Sequence, residues 1–150
     1  MSNLLIREGR PAEILLVEDN RGDALLASRA FADAQIENRL NVANTAEDGL
    51  ARLRGEGEHA GKRLPDIILL DLSLPKMDGR QFLEIVKAND KWRHIPVIVL
   101  SGSNADQDVA KSYDLHASAY VVKPINLDKF REVVTTIEQF FFLLAVLPGH

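Results

Sequence analysis

Short apolar runs alternate with longer amphipathic stretches along this chain. Ile14-Val17, Ile67-Leu70, Pro96-Leu100 and Ala119-Val122 are compact runs rich in leucine or β-branched residues. Apolar residues on both faces of a short run predict strands of a parallel sheet covered by helices on both sides. Leu40-Ala43 predicts a fifth, weaker strand. Asp23-Ala34 predicts a helix, with Leu25, Leu26, Ala30 and Phe31 at helical spacing. Thr45 predicts an N-cap for a helix over Ala46-Arg54, and Glu47 and Asp48 put negative charge in its first turn, where the dipole favours it. Gly79-Ala88 predicts a third helix with Phe82, Ile85 and Val86 on one face, and Ala105-Asp114 a shorter one. Asn126 predicts the cap of a long last helix, with Leu127, Phe130, Val133, Val134, Ile137, Phe140, Phe141 and Leu144 as its apolar stripe. Gly55-Pro65 reads as a polar loop. Five strand-helix alternations predict an α/β doubly wound sheet with right-handed crossovers.

Bulk properties narrow this picture. A chain of 150 residues with 46% apolar content is expected to form one domain with a substantial core. Its net charge of −4 argues against nucleic-acid binding, which needs a basic face. Without cysteine, disulfides and thiolate metal sites are excluded. Met1-Arg10 lacks the apolar stretch of a signal peptide, so a cytoplasmic protein is expected. Phe140-Leu147 is the most membrane-like segment. Eight helical residues span only about 12 Å, against about 30 Å of hydrocarbon, so no membrane association is expected.

The chemistry gathers at the predicted strand ends. Glu18-Asp19 follows the first strand, Asp71 the third and Lys123 the fifth. In an open α/β sheet these ends line one crevice, where such folds bind ligands. Carboxylates clustered there suit Mg²⁺, which takes oxygen ligands and completes its shell with water or phosphate. Two carboxylates about 4 Å apart repel by roughly 4 kcal/mol at an effective dielectric of 20, and a cation relieves this. Asp71 is also a candidate nucleophile toward phosphorus. Lys123 can neutralise phosphoryl oxygens, and Ser101, ending the fourth strand, can hydrogen-bond one. Each element taken singly reads as a solvated turn; their joint order at strand ends points to phosphoryl chemistry.

The runs LLVEDN (15–20), LLDLSLPKMDG (69–79), PVIVLSGS (96–103) and AYVVKP (119–124) resemble the receiver domains of two-component response regulators. The resemblance extends from about Glu13 to about Phe140 and implies a flavodoxin-like fold, strand order 2-1-3-4-5. It implies Asp71 as phospho-acceptor, with Mg²⁺ held by Asp19, Asp71 and the backbone carbonyl of Ser73, and Glu18 completing the acidic pair. It implies Lys123 as the phosphate-pairing lysine, and Ser101 and Tyr120 as a switch pair. The long Gly55-Pro65 loop, with Trp92-Pro96, resembles stand-alone regulators paired with bacterial and cyanobacterial phytochromes. The implied partners are a sensor histidine kinase, of phytochrome type, or a histidine phosphotransfer protein.

The whole chain, 1–150, then reads as a single receiver domain, with a core over about 13–140 and an apolar extension at 141–150. It is expected to carry no output domain and no catalysis beyond self-phosphorylation and slow autodephosphorylation. A magnesium-dependent phosphohydrolase is an alternative, although Ser73 stands where that class has a second aspartate. A non-phosphorylated scaffold is another, opposed by the intact Asp19, Asp71 and Lys123. The last helix and its tail are apolar beyond one stripe, which predicts a two-fold symmetric homodimer through that surface. His59, His94, His116 and His150 are expected to be surface histidines, Trp92 a packing residue, and Lys87, Lys91 and Arg93 a solvated face.

Overall fold

The computed structural model describes residues 9–72, 79–101, 116–122 and 126–146. Five strands, β1 (Ala12–Val17), β2 (Asn38–Ala43), β3 (Ile67–Asp71), β4 (Val97–Ser101) and β5 (Ala119–Val122), form one sheet. Every pairing is parallel, and the order is β2-β1-β3-β4-β5. The described helices are α1 (Arg21–Ala32), α2 (Ala46–Arg54), α3 (Gly79–Ala88) and α4 (Leu127–Val146). The flavodoxin-like order is therefore present as expected. The stretch Ala105-Asp114, expected to be helical, lies outside the described residues.

Alternation along each central strand divides the core into two layers. Ile14 and Leu16 of β1, Ile67 and Leu69 of β3, and Ile98 and Leu100 of β4 pack in one layer with Phe31 of α1 and Phe130, Val134 and Ile137 of α4. The intervening residues Leu15, Val17, Ile68, Leu70, Val97 and Val99 pack in the other with Leu50 of α2 and Phe82, Leu83 and Val86 of α3. Side chains of a strand point alternately to opposite faces. A run apolar at every position is therefore what a sheet covered on both sides requires.

Boundaries differ from the sequence reading in physically explicable ways. Helix α1 begins at Arg21 rather than Asp23, because the Asn20 side chain accepts from the Asp23 backbone N–H and caps the first turn. It ends at Ala32 rather than Ala34. Strand β2 starts at Asn38, two residues earlier than its apolar run, since its backbone continues to pair with β1 from Ala12 onward. Strands β3 and β4 each include one more polar residue than predicted, Asp71 and Ser101. Pro96 drops out of β4, yet its carbonyl accepts from Ile68 N–H at 3.0 Å. Helix α2 and its Thr45 cap lie where predicted, with the Thr45 hydroxyl accepting from Asp48 N–H at 3.0 Å. Asn126 caps α4 in the same way, accepting from Lys129 N–H at 2.9 Å.

The α4 stripe is largely as read from Leu127 to Phe141, and the Leu144 side chain lies outside the described residues. Phe130, Val133, Val134, Ile137 and Phe141 are buried, and Leu127 is partly so. Phe140 is the exception at 37% exposed, its ring edge-on to Phe141. Trp92 packs in the second layer as expected. Lys87 departs from the solvated face expected of it: its ammonium donates to the carbonyls of Arg93 at 3.0 Å and Ile95 at 2.7 Å. Burial lowers its pKa.

Candidate acidic site at the strand ends

The site follows from register. Val17 of β1 pairs with Leu70 of β3, so Glu18 and Asp71, the next residues, fall side by side on adjacent strands about 4.8 Å apart. Glu18 extends β1 by one bond, its N–H donating to the Ala43 carbonyl at 2.9 Å. One carboxylate oxygen from each of Glu18, Asp19 and Asp71 lies within 4.8 Å of the other two. Glu18 and Asp71 are buried at 1% and 3% exposure, whereas Asp19 is exposed. The cluster therefore has a buried floor and an open lip.

Two backbone devices hold it. Asn20 N–H donates to Glu18 Oε2 at 3.2 Å, while the Asn20 side chain starts α1. One residue thus fixes both the Glu18 carboxylate and the helix behind it. Sequence reasoning passed over Asn20, although asparagine just ahead of a helical pattern is a recognisable N-cap signal. The second device is Gly79, whose N–H donates to the Leu72 carbonyl at 3.0 Å. A Cβ there would lie 2.5 Å from both the Asp71 carbonyl oxygen and the Leu72 Cα. Glycine therefore lets the start of α3 close directly on the strand end that carries Asp71.

Asp71 pairs with Leu100, and Leu72 N–H donates to the Leu100 carbonyl at 3.0 Å. Ser101 follows Leu100 on the adjacent strand and pairs with Val122 of β5. The backbones of Asp71, Ser101 and Val122 thus step along one rim. Tyr120 is half-buried on β5, pairs with Val99 and packs against the second core layer. Lys123, Ser73 and the Ser101 side chain lie outside what the structure describes.

The donor set is all carboxylate, clustered and partly buried, which fits a hard divalent cation with open coordination positions. At separations of 4.8 Å or less each pair of ionised carboxylates repels by at least about 3.5 kcal/mol at an effective dielectric near 20. A bound dication would relieve this repulsion.

A doubly wound parallel sheet carrying an acidic cluster at its C-terminal rim defines the class: a flavodoxin-like α/β protein with a ligand rim suited to metal and phosphate. Residues 14–135 match the response regulator receiver domain, and the chain belongs to that family. Response regulator Rcp1 of Synechocystis sp. is 38% identical over 139 residues, which are 93% of this chain and 95% of that protein. The crystal structure of the phosphorylated cyanobacterial phytochrome response regulator RcpA superposes with a TM-score of 0.81 at 40% identity, covering 93% of this chain and 99% of that one. The Mn²⁺-bound form of Rcp1 gives 0.80 at 37% identity, covering 93% and 100%. This chain is thus a receiver-domain response regulator similar to the phytochrome type.

Proposed function

We propose that this protein receives a phosphoryl group on Asp71 from a sensor histidine kinase and transmits the change through protein contacts. The observation that carries this reading is the convergence of Glu18, Asp19 and Asp71 within 4.8 Å at the strand ends, with Gly79 closing α3 onto Asp71. In the proposed step an Asp71 carboxylate oxygen attacks the phosphorus of a phosphohistidine. The P–N bond breaks, an aspartyl-phosphate forms, and the imidazole leaves with its electron pair. Asp19, Asp71 and the Ser73 backbone carbonyl would hold Mg²⁺, with Glu18 supporting them. Lys123 pairs with the new phosphoryl charge, and Ser101 and Tyr120 respond as a switch pair. Such a switch stabilises one of two pre-existing conformations.

The phosphorylated state of RcpA and the metal-bound state of Rcp1 support this chemistry by similarity. RcpA, a phytochrome response regulator, supports a phytochrome-type kinase as donor. The reading includes a single domain over 1–150, a cytoplasmic setting, no catalysis on other substrates, and a homodimer through α4 and its tail. It includes neither nucleic acid nor membrane; among the described residues no helix is long and apolar enough to cross a bilayer.

The test is incubation with Mg²⁺ and acetyl phosphate, read by intact mass. One phosphate should be added to the parent chain and none to Asp71→Asn, and chelation of Mg²⁺ should abolish the adduct. Absence of any adduct in the parent would sink the reading in favour of a scaffold. Multiple turnover of unrelated phosphate esters would favour a hydrolase. Transfer from a purified phytochrome-type histidine kinase, compared with an unrelated kinase, tests the partner.

A further inference from the structure

The end of the sheet remote from the acidic rim carries a second charged cavity. Glu13 precedes Val17 by four residues on β1, roughly 13 Å along the strand. Beside it opens a cavity of about 300 Å³ lined by Glu13, Arg39, Asn41, Arg52, Lys62 and Arg63. Four of these side chains are cationic and one is anionic, a formal excess of three positive charges (4 − 1). The one carboxylate is already engaged. Glu13 Oε1 pairs with Arg39 at 3.3 Å, and Oε2 accepts from Asn41 at 3.5 Å.

Arg52 is the unusual member. It sits in the last turn of α2 at 3% exposure, and its Nε and Nη1 are buried with no hydrogen-bond partner among the described residues. A guanidinium stays protonated in proteins, so these are unpaired donors on a buried charge, an arrangement that is strongly unfavourable unless something answers it. Burial lowers the Arg52 pKa, and the field of Glu13 opposes this without a hydrogen bond. Arg52 also lines an adjoining cavity of about 110 Å³, where His59 Nδ1 is likewise buried and unpartnered. That second cavity also carries Asp48 and Glu58, so the orphaned Arg52 nitrogens are the feature that marks the cationic pocket itself.

We propose that this pocket, between β2, the end of α2 and the loop 55–66, binds a small phosphate-bearing anion. Arg52 forms its buried floor, and Arg39, Lys62 and Arg63 its exposed rim. Arginine donors match phosphoryl oxygens geometrically, and a threefold charge excess favours a multiply charged ligand over a lone carboxylate. The volume exceeds that of a bare phosphate ion, so the ligand class is a phosphorylated small molecule. The pocket shares no residue with the acidic cluster.

The experiment uses the full chain as Asp71→Asn in EDTA, so that the acidic rim contributes no phosphate binding. Thermal denaturation is followed against inorganic phosphate and pyrophosphate, with sodium chloride at matched ionic strength as control. Saturable stabilisation by pyrophosphate is expected, as for any ligand of the native state alone. Its affinity should fall about tenfold or more in Arg52→Met, the usual scale for losing a charge-assisted contact. The double variant Lys62→Ala/Arg63→Ala should weaken it similarly and decides the matter if Arg52→Met fails to fold. Tighter binding of pyrophosphate than of phosphate would support the larger phosphate-bearing ligand; binding of phosphate with no gain for pyrophosphate would overturn that ligand class. No response beyond that to chloride, or equal affinity in every variant that folds, would overturn the proposal.

Discussion

At the scale of single residues, Gly79 shows how tightly the acidic site is built. A Cβ at 2.5 Å from backbone atoms of Asp71 and Leu72 has no flexible neighbour to displace. Gly79→Ala should therefore destabilise the protein by about 2–3 kcal/mol, the upper range for overpacking, and should shift the Asp71 backbone. Chemical denaturation gives the first effect, and loss of acetyl-phosphate labelling relative to the parent reports the second. Lys87 offers a test of electrostatics. Its pKa is lowered in the fold by burial, so its favourable contribution is full above the unfolded lysine pKa and is lost as pH falls through the folded value. The parent should gain stability relative to Lys87→Met as pH rises toward the ordinary lysine range, and parallel melting curves across alkaline pH would refute this.

At the scale of elements, the two helical layers are anchored differently. Helix α4 meets the sheet through Phe130, fully buried between α1 and the central strands. Phe130→Ala should cost about 3–5 kcal/mol, the range for emptying a buried aromatic site, measured by urea unfolding. Helix α4 is also tied to the entry of β2, since Ile36 N–H donates to the Glu138 carboxylate at 2.9 Å across 102 residues of sequence. That bond joins α4 to the edge of the fold carrying the cationic pocket. On the other side Gly49 lets α2 approach closely, because a Cβ there would lie 2.9 Å from the Phe82 ring. The helices expected from periodicity alone thus seat themselves through particular contacts that periodicity does not contain.

At the scale of the whole molecule, the open question is what covers the outer side of α4. Phe140 is 37% exposed there, while Phe141 beside it belongs to the core. A cut that tests the proposed dimer must therefore fall after Phe141, so that the core survives. Sedimentation should give a two-fold mass for the full chain and a single-chain mass for one ending at Phe141 or carrying Phe140→Lys. Equal masses for all three would refute a dimer built on this surface. The receiver's parallel sheet separates two charged regions: a negative rim at the strand C-termini and a positive pocket toward the opposite end.

The strands, the two-sided burial, the caps at Thr45 and Asn126, and the acidic residues Glu18, Asp19 and Asp71 were legible in the sequence, because periodicity, cap chemistry and motif are local properties. The motifs likewise named the family, and the match over residues 14–135 bears that out. Only the tertiary structure decided which residues share a site. Register set Glu18 beside Asp71, and the close approach of α3 explained Gly79. It also turned Lys87 inward to two carbonyls and left Nε and Nη1 of Arg52 buried without a hydrogen-bond partner among the described residues. An arginine in a helix's last turn looks like any solvated basic residue in one dimension. Its burial depends on β2 and on a loop that folds back across it, and no local pattern records that contact.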